Sequence, residues 1–137
     1  MKTILVSGLN PSWQKTMTFQ ELRPGEVNRA LSLEECASGK GVNFARAVSI
    51  ARLANAQVFQ FVGGMTGDLL VRRIEEEGLN AVSQPAPGAT RVCATLLCRR
   101  TGRATELIEP TAPVGPEPQR RLRAAMADAL EHADALA

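Results

Sequence analysis

The run Cys36-Ala37-Ser38-Gly39-Lys40-Gly41-Val42-Asn43-Phe44-Ala45-Arg46 constrains this chain more than any other stretch. Two glycines flank a lysine, and behind them Val42, Ala45, Val48 and Leu53 recur at helical spacing. The pattern predicts a tight turn feeding a helix from about Gly41 to Ala54, with the four apolar residues facing the core. The open end of such a helix carries outward N–H groups and about half a positive charge from the peptide dipoles. A phosphate or a sugar hydroxyl suits that end, with Lys40 inside the turn. Two named loops do not fit. No Ser or Thr follows Lys40, as a P-loop needs, and Phe44 stands where the third glycine of a dinucleotide fingerprint would be. The alternative is that Gly39 and Gly41 only shape a turn before an ordinary helix.

Around this turn the chain alternates strand and helix signals. Lys2 to Ser7 reads as a buried first strand, broken by the turn residues Gly8 to Ser12. Between Lys15 and Glu35 the signal is short and interrupted, at Met17-Thr18-Phe19, Arg23-Pro24-Gly25 and Val27 to Leu33. It predicts two or three short strands in a small side sheet. Val58 to Val62 is a second core strand, ended by Gly63-Gly64. The next helix begins at Thr66 or Gly67, with Asp68 against its dipole, Leu70, Val71 and Ile74 inward, and Gly78 as its stop. A strand near Leu79 to Ser83, a loop over Gln84 to Gly88, and a strong strand from Thr90 to Cys98 follow. Thr101-Gly102 turns that strand into a hairpin with Ala104 to Ile108. Pro110, Pro113, Pro116 and Pro118 mark a stiff connection, and Leu122, Met126, Ala129, Leu130, Ala133 and Leu136 form a helical stripe. The order predicts one α/β domain over residues 1–137, a central sheet flanked by helices with a small second sheet. A crossover helix normally delivers the chain to another parallel strand, and the pattern shows none by Ala137.

Composition excludes several classes. A net charge of +2, 4% aromatics and no tyrosine give neither a basic field nor a stacking surface for nucleic acid. No apolar run reaches membrane-span length and no signal peptide is visible, so no membrane role is expected. Cys36, Cys93 and Cys98 show no C-x-x-C spacing, and Cys93 and Cys98 would face opposite ways on one strand. Reduced, cytoplasmic thiols are expected. His132 is the lone histidine, which leaves no His-based triad and no metal site.

Five pieces, taken in order, resemble the ribokinase-like (PfkB) carbohydrate kinases, nearest the 1-phosphofructokinase and tagatose-6-phosphate kinase branch. They are Leu9-Asn10-Pro11-Ser12, Arg23 to Arg29, Ser38 to Arg46, Gly63-Gly64-Met65-Thr66-Gly67-Asp68, and Thr105-Glu106-Leu107-Ile108-Glu109-Pro110. The likeness spans nearly the whole chain and corresponds to the N-terminal half of such a kinase. It implies a ribokinase-like partial sheet with a small β-sheet lid, its strands within about 15–35. It also implies a sugar or sugar-phosphate pocket lined by Gly39, Lys40 and Asn43, with Arg91 holding the substrate phosphate. Arg29 on the lid also reaches phosphate, and Glu109 is a further pocket residue. Gln14 stands where the family usually has an aspartate that holds sugar hydroxyls. Ser38 replaces a usual glycine, and Ile108 a usual asparagine.

The family's catalytic aspartate, in a Gly-Ala-Gly-Asp stretch, has no counterpart here, and neither do its ATP pocket and acidic magnesium-linked motif. The resemblance therefore implies ATP and Mg2+ for a complete enzyme, neither bound by this chain alone, no catalytic residue within it, and no turnover unaided. A homodimer through the lid or a sheet edge is expected. The alternative is a non-catalytic sugar-phosphate-binding or dimerising module. Lys40 as a solvated turn lysine, Asn43 as a cap and Asp68 as a dipole partner remain the structural alternatives.

Overall fold

The computed structural model describes all 137 residues. Four parallel strands make the first sheet: β1 (Thr3–Ser7), β4 (Asn55–Val62), β5 (Asn80–Pro85) and β8 (Ala135–Leu136), in the order β5-β4-β1-β8. The second sheet has the order β3-β2-β6-β7 and contains β2 (Ser12–Phe19), β3 (Ser32–Ser38), β6 (Val92–Cys98) and β7 (Arg103–Ile108). Three helices complete the chain: α1 (Lys40–Ala51), α2 (Gly64–Glu76) and α3 (Pro116–Leu130).

The centre of the first sheet, at β1 and β4, is buried on both faces, as parallel strands require. Along β4, Val58 packs with Val6 and Ala45 of α1, while its neighbour Phe59 packs with Leu5 and Leu122 of α3. Helices α1 and α3 therefore cover opposite faces. α1 is drawn close at Gly41, where an added Cβ would lie 2.5 Å from the Gly8 Cα. Leu70 and Ile74 of α2 meet Trp13, Ala37 and Val42, so the second sheet is anchored to the body through the Trp13 indole. That indole donates to Glu35 Oε1 at 3.0 Å, and the Arg73 guanidinium lies 5.8 Å from the ring centroid.

Several elements differ from their sequence reading. Leu53 is 73% exposed, because α1 stops at Ala51 and Arg52 turns left-handed (φ 53°) before that position can face the core. α2 begins at Gly64, so Asp68 falls past the first helical turn, which holds no acidic residue. Gly78 does end that helix region at positive φ, its N–H bonding the Glu75 carbonyl. Arg23-Pro24-Gly25 and Val27 to Leu31 form a loop, and β3 starts at Ser32 and runs on to Ser38. Gln84 and Pro85 extend β5. Pro116 and Pro118 lie in the first turn of α3, where a missing N–H costs nothing. Leu136 is on a strand, not on the helix. The chain leaves α3 and reaches β8, which pairs with β1 through Ile4↔Ala135 and Leu5↔Leu136. The expected next parallel strand is thus present, two residues long and invisible to periodicity. The hairpin β6-β7 joins the second sheet, where β6 runs parallel to β2. All three cysteines are free thiols.

Candidate functional site

Beyond the carboxyl ends of β1, β4 and β5, three connections converge. They are Leu9-Asn10-Pro11 after β1, Gly63 after β4, and Ala86 to Arg91 after β5. With Thr111, Ala112 and Val114 they enclose a cavity of about 240 Å³. This is where open parallel sheets place ligands. Leu9, Phe61 and Val114 also line a neighbouring cavity of about 400 Å³ beneath α3.

Backbone contacts fix this geometry. Ala86 N–H bonds the Val62 carbonyl at 2.8 Å, and Thr90 N–H bonds the Gly63 carbonyl at 2.8 Å. The buried Thr90 hydroxyl accepts from Gly63 N–H at 3.1 Å, and the Thr66 hydroxyl donates to the Thr90 carbonyl at 2.6 Å. Gly63 is needed there, since a Cβ would fall 2.0 Å from the Gly88 oxygen. The loop is thereby pinned to the start of α2, and Arg91 follows immediately.

Arg91 Nη2 donates to the Asn10 carbonyl at 3.3 Å. Its Nε is buried with no acceptor, and the side chain makes no ion pair. Asn10 and Thr111 bond each other reciprocally, at 3.1 and 3.2 Å. A second, wider cavity of about 520 Å³ shares Arg91 and Thr111 and adds Glu109. Glu109 is partly committed, because its Oε2 accepts from Val92 N–H at 2.8 Å.

The other predicted residues lie on adjoining surfaces. Gln14 sits in β2 opposite Cys36 on one side and Cys93 on the other, and its Nε2 donates to Thr95 Oγ1 at 2.9 Å. By alternation Ser12, Gln14, Cys36 and Ser38 share one face of the second sheet. Ser38 leads into Gly39, which has φ +120° and so near an approach to Pro11 that a Cβ would lie 2.9 Å from the Pro11 Cα. Lys40 opens α1 with its side chain exposed, and no side chain caps the helix. Asn43 is exposed in the first turn, its Nδ2 directed at Ser38 Oγ at 3.4 Å. The structure thus brings Arg91 and Glu109 together at the cavities. It sets Gln14, Gly39, Lys40 and Asn43 on the neighbouring sheet face and helix start, where they line none of the three cavities described. Arg29 is exposed in the loop between β2 and β3 and joins neither group.

Sequence reasoning missed Asn10, Thr90 and Thr111 as site residues. The Asn10-Pro11 turn and the Gly63-Gly64 pair were legible signals for the first two walls. Nothing local marks Thr111, whose partner Asn10 lies 101 positions away.

No family model matches the chain. Solved structures do. Phosphofructokinase-2 from Escherichia coli in complex with fructose-6-phosphate aligns with a TM-score of 0.86 and 23% identity, over 93% of this chain and 42% of that one. A protein described as a possible 1-phosphofructokinase from Thermotoga maritima aligns with a TM-score of 0.89 and 19% identity, over 98% and 43% of the two chains. A candidate ribokinase from Agrobacterium tumefaciens aligns at 0.66 and 19%, over 85% and 40%. The 137 residues have the ribokinase-like fold, and they span about two fifths of the length of the sugar kinases that share it.

Proposed function

We propose that these residues form the sugar-phosphate-binding part of an ATP-dependent carbohydrate kinase, which transfers a phosphoryl group to a sugar hydroxyl only when further polypeptide completes it. The observation that carries this reading is Arg91. A guanidinium without a carboxylate, with a buried and unpartnered Nε, lies at the wall of a cavity beyond the strand ends. Desolvating such a donor is unfavourable unless an anion completes it, and a phosphate matches its forked N–H groups. Asn10 and Thr111 supply an amide and a hydroxyl that can exchange their mutual bonds for bonds to sugar hydroxyls. In this reading Gln14, Gly39, Lys40 and Asn43, on the sheet face and helix start beside the cavities, take the sugar, Arg29 is assigned to it from the loop between β2 and β3, and Glu109 shares the wider cavity with Arg91.

In the complete enzyme Mg-ATP would supply the phosphoryl group and the counter-charge that its transfer needs. No three His, Cys, Asp or Glu side chains gather into one cluster among these residues. No step is assigned to nucleotide or metal within these residues. This chain's own contribution is to bind the phosphate, orient the sugar and restrict its motion. A homodimer, through the lid strands or the β8 edge, and a cytoplasmic setting complete the reading. The second reading is a non-catalytic sugar-phosphate-binding or dimerising module built on the same residues.

Calorimetry with fructose 6-phosphate tests the proposal. The chain binds it, and Arg91→Ala weakens binding at least about tenfold, the value of a charge-assisted bond pair. Equal affinity in Arg91→Ala removes Arg91 from the site, and no binding of any sugar phosphate by the wild type sinks the reading. Sugar-phosphate binding without turnover of added ATP by the 137-residue chain is expected in either case; a genuine phosphoryl transfer would show that no further polypeptide is required.

A further inference from the structure

We propose that Arg46 is a positioning residue that dictates which end of the Asn43 side-chain amide meets the substrate. The inference rests on the reading that the start of α1 belongs to the sugar-phosphate site. Arg46 reaches three elements at once. Its Nε and Nη2 grip Glu77, just past α2, at 2.7 and 3.2 Å, and Nη2 also donates to the Ala37 carbonyl of β3 at 2.8 Å. Those bonds hold the helices and the second sheet together. The remaining nitrogen, Nη1, donates to Asn43 Oδ1 at 2.8 Å.

A guanidinium has only donors, so the end of the amide facing it has to be the oxygen. The NH2 end is therefore turned towards Ser38, whose Oγ accepts from it at 3.4 Å. The Ser38 hydroxyl accepts there through one of its two lone pairs and keeps its hydrogen free to donate. The second Nδ2 hydrogen, the Ser38 hydroxyl hydrogen, the Lys40 ammonium and the uncapped N–H groups of α1 are then all donors. An exposed asparagine on a helix would ordinarily rotate between two orientations. Here both ends are engaged, and the subsite is fixed as one that accepts a lone-pair-bearing oxygen of the sugar phosphate. Ser38 takes part in that definition, since a glycine there would leave the NH2 end unheld.

Three variants of the full chain, compared with the wild type, test this. In the ligand-free wild type, NMR shows a nuclear Overhauser contact between the Asn43 NH2 protons and the Ser38 β-protons. Arg46→Met, which has no donor to meet Asn43 Oδ1, loses that contact and binds fructose 6-phosphate about tenfold more weakly. Glu77→Gln, which loosens the tie to α2 but leaves Nη1 on Asn43, lowers the melting temperature and keeps affinity within about twofold. An equal affinity loss in Glu77→Gln would make Arg46 merely structural and overturn the proposal. So would an unchanged Overhauser contact in Arg46→Met. If Arg46→Met does not fold, Asn43→Asp decides: with Arg46 intact it replaces the outward donor by a lone pair, and undiminished affinity overturns the proposal. Inorganic phosphate, titrated into the same variants, shares the loss if the accepted oxygen is the phosphate's and is unaffected if it is the sugar's. Either result supports the assignment. A wild type that binds no sugar phosphate removes the functional reading, while the Overhauser contact still decides the amide's orientation.

Discussion

At the scale of single residues, Glu35 joins strand to strand. Its carboxylate accepts from the Trp13 indole at 3.0 Å and pairs with Lys15 at 3.2 Å. The indole bond first, and then Lys15, hold its carboxyl below the usual carboxylate range. A depressed folded-state value means that its contribution is complete above the unfolded value, about 4.3. That contribution is lost as pH falls through the folded one. Thermal melts taken from about pH 6 down to about pH 3 should show Glu35→Gln with a shallower acid decline than the wild type. Gly41→Ala should destabilise by about 1–3 kcal/mol in chemical denaturation, because the new methyl meets the Gly8 backbone and no flexible side chain can yield. The two glycines of the opening run were legible as a turn, yet they do different jobs. Gly39 supplies the positive φ, while Gly41 supplies closeness to β1's exit. Trp13 and Arg46 were not legible as organisers, since their partners Glu35 and Glu77 lie 22 and 31 positions away and no local pattern points to them.

Among elements, the loop from Ala86 to Thr90 lines the proposed site, and its shape is set by the start of α2. Gly63→Ala should drive the loop off the Gly88 and Ala86 carbonyls and carry Arg91 with it. On the proposed reading, fructose 6-phosphate affinity by calorimetry should therefore fall at least about tenfold, alongside a stability loss of about 1–3 kcal/mol. Helical and strand signals were read well where a period was long enough to count, as in α2, α3 and the β6-β7 hairpin. They failed at ends. α1 gave up Leu53 because a left-handed Arg52 overrides hydrophobic spacing, and β8 is too short to alternate. Sheet membership was the larger gap: the strong β6 strand was legible as a strand, but its parallel partner β2 stands about eighty residues earlier, and pairing at that distance has no local signature.

Across the whole molecule, protection should grade from β4 outward. β4 is bonded on both sides and buried on both faces, whereas every residue of the edge strand β7 is exposed. Hydrogen exchange should find the slowest amides in Val58 to Gln60 and fast exchange along the free edge of β7; the reverse ranking would contradict the packing described. The parallel pairing of β2 with β6 also sets a timetable. When the chain emerges from a ribosome, β2 and β3 can close on each other early, but their second-sheet partner is about 60 residues behind. At ordinary synthesis speed that is a wait of roughly 3 to 12 s. Through that interval one flank of the nascent ribbon stays open to any strand that drifts past, so chaperone capture is most valuable to this protein before Cys98 has cleared the exit tunnel.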